Sequence, residues 1–272
     1  MTHSTLGTAL ITGASTGLGA IYADRLARRG YDLILVARDA GRMEALAGSL
    51  SAETGRSIDI LPADLTNRAD VAKVEDRLTS DAAITLLVNN AGMSLNRGLL
   101  DSDVAQVEKL IALNITAPTL LAGAAGRAFG ARQRGGIINI ASVLALLPEM
   151  FDGVYSGSKA YLLNVSKSLA ATLEPKGVRV QAVLPGATRT EIWERSGKDV
   201  DSFPVEWVMA ADHLVDAALL GFDRGETVTI PPLADEAQWE AYEAARLAMN
   251  GKLSNRDVAP RYREAIREAV SA

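Results

Sequence analysis

The sequence has no cysteine and only two histidines, His3 and His213. Without cysteine the chain forms no disulfide and offers no thiolate ligand to a metal ion. Two isolated histidines are too few for a histidine-rich metal centre. We therefore predict no metal site.

Long apolar runs and excess positive charge are also missing. We see no apolar run of membrane-spanning length and no basic stretch of the kind that opens a signal peptide. The formal net charge is −5 and no basic stripe stands out, which argues against nucleic acid as a partner. We expect a cytoplasmic protein that binds neither membrane nor nucleic acid. With 272 residues, 48% of them hydrophobic, the chain can form one domain over 1–272.

The first clear motif is a glycine-rich turn between a strand and a helix. The apolar run at residues 8–12 leads directly into Gly13-Ala14-Ser15-Thr16-Gly17-Leu18-Gly19. A helical pattern follows as far as Arg29. This order places backbone N–H groups and a helix N-terminus against a phosphate. The spacing differs from the usual G-x-G-x-x-G of dinucleotide sites, and a tight turn that needs positive φ is the alternative.

The second strand, residues 33–37, ends at the position whose side chain distinguishes NAD from NADP in dinucleotide-binding folds. An acid at this position binds the ribose 2′-hydroxyl of NAD, whereas an arginine suits the 2′-phosphate of NADP. This chain has Ala37 at the end of the strand and Arg38 after it. The pattern favours NADP(H) over NAD(H), with a solvated Arg38 as the alternative. Asp39 is interpreted as the N-cap of a helix over residues 42–50.

Strand patterns continue to alternate with helices along the chain, at residues 57–61, 84–88, 137–140, 178–183 and 227–230. The alternation predicts an α/β fold with a doubly wound (Rossmann-type) seven-stranded parallel sheet and helices on both faces. The predicted core covers about residues 6–231. A C-terminal extension over residues 235–272 is predicted to form two amphipathic helices.

Tyr155 and Lys159 are four residues apart at the start of a helical pattern. On a helix, two such side chains lie on one face, one turn apart. An unperturbed tyrosine has a pKa of about 10, and a neighbouring ammonium favours the phenolate. We expect Lys159 to lower the pKa of Tyr155 and so suit it to proton transfer. Taken alone, a tyrosine and a lysine at this spacing are more often exposed surface residues without a catalytic role.

Several other residues have two readings each. Asn114 falls inside or just after a helix, where asparagine either caps, kinks or serves a polar task. Ser142 lies just past a strand, as a cap or as a catalytic group. The irregular stretch at residues 191–209 carries Trp193 and Trp207 and is either a mobile cover on a site or ordinary packing.

Together these motifs resemble the short-chain dehydrogenase/reductase family, in the order that the family shows. The resemblance covers roughly residues 6–231. It is carried by Thr12, Gly13, Gly17, Gly19, Asn89, Asn90, Ala91, Gly92, Asn114, Ser142, Tyr155, Lys159, Pro185 and Gly186.

The resemblance implies hydride transfer between a nicotinamide dinucleotide and a carbonyl or alcohol. In that mechanism Tyr155 is the general acid/base, and Lys159 lowers its pKa and holds the nicotinamide ribose. Ser142 binds the substrate oxygen, and Asn114 holds a water that links Lys159 to solvent. The implied cofactor contacts are Gly13, Ser15, Thr16, Gly17, Leu18, Gly19, Arg38, Asp64 (to the adenine), Leu65, Asn90, Ala91, Gly92, Tyr155, Lys159, Pro185, Gly186, Thr188 and Thr190 (to the carboxamide).

The chain departs from the family pattern at Thr16, where many NADP-using relatives have a basic residue. The prediction of NADP(H) therefore depends on Ala37 and Arg38. The leading hypothesis is an NADP(H)-dependent reductase or dehydrogenase for a small, largely apolar substrate, assembled as a homodimer or homotetramer. The alternatives are an NAD-dependent enzyme with Asp39 on the ribose, and a non-catalytic nucleotide-binding sensor. An epimerase or dehydratase is a further alternative, although little chain remains for its larger substrate domain.

Overall fold

The structure is a computed structural model that describes residues 4–197 and 199–263. Its backbone divides into two compact units, Met1–Pro232 and Leu233–Ala272. The first unit contains a seven-stranded sheet in the order β3-β2-β1-β4-β5-β6-β7. All neighbouring strands pair in parallel, which confirms the predicted sheet. The strands are β1 (Thr8–Thr12), β2 (Asp32–Ala37), β3 (Ile58–Pro62), β4 (Ile84–Asn89), β5 (Gly135–Ile140), β6 (Val178–Val183) and β7 (Val228–Thr229).

Helices pack on both faces of the sheet. Side chains along a strand point alternately to opposite faces, so Leu10 and Ile11 of β1 belong to two different core clusters. The Leu10 cluster contains residues of α3, α5 and α6, and the Ile11 cluster contains residues of α1, α2 and α8. The helices are α1 (Gly17–Arg28), α2 (Ala40–Thr54), α3 (Arg68–Ser80), α4 (Val104–Ile111), α5 (Ala117–Arg132), α6 (Gly153–Leu173), α7 (Ile192–Arg195), α8 (Ala211–Arg224) and α9 (Glu236–Leu247).

Helices α4 and α5 form one continuous run, joined by a π-helical turn at Ala112–Thr116. The sequence pattern predicts two shorter helices here. The run Val104–Arg132 is long and apolar enough to cross a membrane by length and composition, so the expectation that no such run exists is wrong. Half of the run's most apolar window is buried inside the protein, and Leu121 and Phe129 belong to the core. Packing in the core accounts for the apolar composition of this helix.

Strand β5 begins two residues earlier than predicted, at Gly135. The two glycines are needed because aromatic rings press against the strand. A Cβ at Gly135 would lie 2.6 Å from the Phe129 ring, and a Cβ at Gly136 would overlap the Phe222 ring. Glycine in a strand commonly marks such a close approach.

The second unit is described as far as residue 263. Its helix α9 starts at the N-cap Asp235, whose carboxylate accepts a hydrogen bond from the Ala237 N–H at 3.0 Å. Trp239 and Tyr242 stack on one another with ring centroids 5.4 Å apart. None of the α9 residues is buried. Most of the second helix predicted for the extension lies outside the described residues.

We predict that a chain ending at Pro232 keeps the fold of the first unit, because every strand and every core cluster lies within it. We also predict a change in assembly state or activity, since Tyr242, Leu247, Met249 and Leu253 are exposed apolar side chains that favour association. Sedimentation and steady-state kinetics of both chains check this. Identical behaviour of the two chains would show that the extension is an appendage.

Candidate active site

The residues singled out from the sequence lie together at one edge of the sheet. Parallel strands all have their carboxyl ends at the same edge, and ligands of such folds bind there. The glycine turn follows β1, Arg38 follows β2 and Asp64 follows β3, while Asn90, Ser142 and Pro185 follow β4, β5 and β6. The Leu65 side chain is buried in the core, and the Leu18 side chain is partly buried against it.

The glycine turn has a backbone that other residues would not adopt. Gly13 and Gly17 have φ values of 66° and 55°. At Gly19 a Cβ would overlap the carbonyl oxygen of Gly13, so the turn and the helix touch without a side chain between them. Helix α1 starts at Gly17, and its first N–H groups lack partners within the helix. This close, side-chain-free turn fits a dinucleotide phosphate.

Thr12 and Asn90 fasten the glycine turn to the end of β4. The Asn90 side-chain amide donates to the carbonyl oxygens of Thr12 at 2.9 Å and Gly13 at 3.3 Å. In return, the Thr12 hydroxyl accepts from the backbone N–H groups of Asn90 and Ala91, both at 3.0 Å. No separate role was predicted for Thr12. A polar residue that ends an apolar strand just before the first glycine nevertheless indicates a hydrogen-bonding role at the turn.

The end of β2 presents a free cation. Arg38 is exposed and makes no ion pair with any residue that the structure describes. Asp39 caps α2, as predicted, by accepting from the Arg42 N–H at 3.0 Å. Burial acts to raise the pKa of Asp64, but hydrogen bonds from Thr66 and the charge of Arg38 outweigh it and lower that pKa. Arg38 and Asp64 therefore act on each other across neighbouring strand ends.

Tyr155 and Lys159 lie in the first two turns of α6. The buried carboxylate of Asp152 caps this helix, accepting from the N–H groups of Val154 at 3.0 Å and Tyr155 at 3.1 Å. The Phe151 ring meets the Tyr155 ring edge-on, with centroids 5.9 Å apart. The N-cap and the ring contact together fix the orientation of the Tyr155 side chain. An acidic residue three positions before Tyr155 is a recognisable N-cap signal, although this cap was not predicted.

The Tyr155 phenol lies beside the Ser142 hydroxyl, which acts on its pKa as a hydrogen-bond partner. Ser142 is buried, and its hydroxyl accepts from the Leu144 N–H at 3.1 Å. The buried Lys159 ammonium donates to the Ile140 carbonyl oxygen at 2.8 Å and lies 5.5 Å from the centre of the Tyr155 ring. Two hydroxyls and one ammonium thus converge at the end of β5.

The pKa of Tyr155 moves in the direction opposite to the one expected from the sequence. Burial raises the pKa of Tyr155 to about 12, and its hydrogen bond with Ser142 offsets only part of this. Burial lowers the pKa of Lys159 to about 8. The expectation counted the charge of Lys159 and left out desolvation, which disfavours the charged form of both groups.

Asn114 lies in the π-helical turn and is buried. Its side chain exchanges two hydrogen bonds with the Met93 backbone, at 2.8 and 2.9 Å, and donates to the Ser158 hydroxyl at 3.2 Å. Ser158 in turn donates to the Tyr155 carbonyl oxygen at 2.7 Å. A Cβ at Gly92 would lie 3.4 Å from Asn114 Oδ1 and 3.5 Å from Lys159 Nζ, so Asn114 and Lys159 flank the same loop.

The described residues after β6, 188–197 and 199–209, include three short helical turns, and we call them the cover segment. The Trp193 indole donates to the Thr188 carbonyl oxygen at 2.7 Å, and its ring lies 5.1 Å from the Phe203 ring. Thr190 packs at the glycine turn, since a Cβ at Gly17 would lie 3.5 Å from the Thr190 Cβ. The cover segment therefore begins beside the proposed phosphate site.

A sequence model of the short chain dehydrogenase family matches residues 7–201. Human 17-beta-hydroxysteroid dehydrogenase type 3 is 36% identical over 186 residues, which are 67% of this chain and 59% of that protein. Serine 3-dehydrogenase from Agrobacterium fabrum is 35% identical over 201 residues, which are 68% of this chain and 73% of that protein. The chain thus spans less than two thirds of the length of the human relative.

Two solved structures are similar over nearly the whole chain. A short-chain dehydrogenase from Sphingobium yanoikuyae in complex with NADPH is 50% identical, with a TM-score of 0.92, and the match covers 94% of this chain and 100% of that one. A bulky-bulky ketone specific alcohol dehydrogenase from Comamonas testosteroni is 44% identical, with a TM-score of 0.88, and the match covers 96% and 100%.

Replacing Tyr155 by phenylalanine removes the hydroxyl that meets Ser142 and keeps the ring that meets Phe151. General acid–base catalysis is worth ~10²–10⁴ in rate, so we predict that kcat falls at least ~100-fold. Cofactor titration by fluorescence should show that the cofactor still binds, because the other predicted contacts remain and the fold is intact. A variant with nearly normal kcat would remove Tyr155 from the proton-transfer role.

Proposed function

Since the chain belongs to the short-chain dehydrogenase/reductase family, whose members are oxidoreductases, we propose that it uses NADP(H) to interconvert a carbonyl and a secondary alcohol. The substrate in this proposal is small and largely apolar. The observation that carries the proposal is the grouping of the Ser142 and Tyr155 hydroxyls with the buried Lys159 ammonium, at the sheet edge that also holds the glycine turn.

The residues of the chain account for the proton and for the charge on the substrate oxygen. A bound nicotinamide dinucleotide would supply the hydride in reduction and accept it in oxidation. In reduction, the Tyr155 hydroxyl donates its proton to the substrate oxygen, and the Ser142 hydroxyl donates a hydrogen bond to the same atom. In oxidation, the proton moves in the opposite direction, from the substrate hydroxyl to Tyr155.

Lys159 and Asn114 support Tyr155 in this proposal. Lys159 would hold the nicotinamide ribose, and Asn114 would hold a water that connects Lys159 to solvent. Support comes from the nearness of both side chains to Gly92. The remaining predicted cofactor contacts, from Gly13 to Thr190, are part of the same proposal, as are a cytoplasmic location and a homodimeric or homotetrameric assembly.

The preference for NADP(H) is supported by charge at the end of β2. Ala37 supplies no carboxylate that would bind a ribose hydroxyl, and Arg38 is free to meet a phosphate. The carboxylate of Asp39, which the NAD alternative requires on the ribose, is occupied by the α2 cap and by Arg42. The similar dehydrogenase from Sphingobium yanoikuyae was solved with NADPH.

The apolar substrate is supported by the side chains around the Tyr155 hydroxyl and in the cover segment. Phe151 contacts the Tyr155 ring, and Leu147, Met150 and Trp207 are exposed. Apolar walls with a few polar groups are typical of small-molecule sites. The alcohol dehydrogenase from Comamonas testosteroni is specific for bulky-bulky ketones, so ketones with two large apolar groups belong in any test set.

A substrate screen that follows nicotinamide absorbance with each cofactor tests the proposal. We predict turnover of ketones and secondary alcohols with apolar flanks, and faster turnover with NADPH than with NADH. Matched pairs that differ by one carboxylate or phosphate are the controls, because the exposed carboxylate of Glu149 disfavours acidic substrates if it faces the pocket. A preference for phosphorylated or polycarboxylate compounds would contradict the proposed substrate class.

Arg38 gives a second prediction, on cofactor selectivity. A hydrogen bond to a charged group contributes about 1.5–3 kcal/mol, and ~1.4 kcal/mol is a tenfold change in affinity. Arg38→Leu should weaken NADPH by roughly ten- to a hundredfold and leave NADH nearly unchanged. Adding Ala37→Asp should reverse the preference, since the new carboxylate accepts from the ribose hydroxyls and repels the phosphate. Fluorescence titration with both reduced cofactors measures this, and tighter NADH binding by the wild type would show that Arg38 is only a solvated residue.

A further inference from the structure

A second arginine near the proposed 2′-phosphate site is already occupied by carboxylates. Arg42 lies in the first turn of α2, the helix that follows Arg38 and its neighbour Asp39. Its guanidinium is 3.0 Å from a carboxylate oxygen of Glu191 and 3.4 Å from one of Asp39. Both side chains of the Arg42–Glu191 pair are about half-exposed, so water and ligands reach it.

The Arg42–Glu191 pair joins two parts of the chain that are far apart in sequence. Arg42 belongs to the adenosine side of the proposed cofactor site, and Glu191 lies 149 residues later. Glu191 follows Thr190, which packs at the glycine turn, and precedes α7, which carries Trp193. The pair therefore ties the first turn of the cover segment to the phosphate side of the site.

Carboxylates already lie beside both cations before a cofactor arrives. Arg42 is paired with Asp39 and Glu191, and the charge of Arg38 acts on Asp64. A 2′-phosphate carries close to two negative charges near neutral pH and needs cations with free donors. Asp39 is held by the α2 cap, whereas Glu191 is held to Arg42 by an exposed ion pair, and exposed ion pairs are weak.

We propose that Glu191 is a selectivity residue that holds Arg42 in the free enzyme and gives it up to the 2′-phosphate of NADP(H). This inference rests on the proposed NADP(H) preference. In it, Arg42 becomes the second cation for the phosphate beside Arg38. Release of Arg42 breaks the contact between Glu191 and α2, so the 2′-phosphate changes a contact at the start of the cover segment.

The inference predicts the direction in which Glu191→Gln changes the affinity for NADPH. The amide keeps the size of the side chain and removes the charge that competes with the phosphate. We expect NADPH to bind about two- to fivefold more tightly, because exposed ion pairs are weak and ~1.4 kcal/mol is tenfold. NADH, which lacks the phosphate, should bind as it does to the wild type. The gain for NADPH should shrink as salt is raised, since exposed charges are screened.

Glu194→Gln is the matched control. Glu194 lies in α7 of the same cover segment, is exposed and has no ion pair among residues 4–197 and 199–263. It removes the same charge from the segment without touching Arg42, so it should leave both cofactors unchanged. In the Arg42→Gln background, Glu191→Gln should no longer tighten NADPH, which a double-mutant cycle measures.

Hydrogen exchange gives a readout that does not depend on turnover. The probes are 2′,5′-ADP and 5′-AMP, which differ only in the 2′-phosphate. With 2′,5′-ADP, amides at residues 190–195 should exchange faster than with 5′-AMP, because the contact of Glu191 with Arg42 is lost. In Glu191→Gln these amides should exchange fast with either probe.

The outcomes separate the inference from the proposed function. Weaker binding of both cofactors by Glu191→Gln would mean that the Arg42–Glu191 ion pair is kept when the cofactor binds. That result would overturn the inference. An unchanged NADPH affinity would overturn it as well. The wild-type preference is judged separately: if NADH binds more tightly than NADPH, the proposed NADP(H) dependence fails, whatever Glu191→Gln does.

Discussion

The hydrogen bonds between Thr12 and Asn90 hold the two halves of the site in register. The Asn90 amide donates to the backbone of the glycine turn, and the Thr12 hydroxyl accepts from the backbone after β4. One half of the site is thereby fixed relative to the Gly92 loop, which touches Asn114 and Lys159. These bonds therefore fix the glycine turn relative to the loop beside Lys159, and so relative to the proposed catalytic residues.

Burial tunes the proposed catalytic groups before any ligand is present. It raises the pKa of Tyr155 to about 12 and lowers the pKa of Lys159 to about 8, so it favours the neutral form of both groups. A protonated phenol at neutral pH suits the proposed reduction, in which it would donate a proton. The proposed oxidation needs the phenolate, which the nearby charge of Lys159 would favour.

The parts of the structure that depend on local pattern could be predicted from the sequence. The seven strands, the glycine turn and the Asp39 cap follow from apolar runs, glycine spacing and capping chemistry within a few residues. The π-helical turn could not be predicted, because Asn114 is held there by Met93 and Ser158, which are distant in sequence. The pKa of Tyr155 was expected to move the wrong way because burial cannot be read from a Tyr-x-x-x-Lys spacing.

Cofactor selectivity also depends on a contact between residues that are distant in sequence, in this case an ion pair. Counting cations after β2 gives Arg38 and Arg42, and a sequence argument treats both as available to a phosphate. The fold brings Glu191 to Arg42 from 149 residues away, so one of the two cations is neutralised until something displaces the carboxylate. The affinity for a 2′-phosphate is then a difference between two competing ion pairs and not a sum over arginines. A change in the cover segment can therefore alter the choice between NADPH and NADH without touching the strand end that is read as the selectivity position.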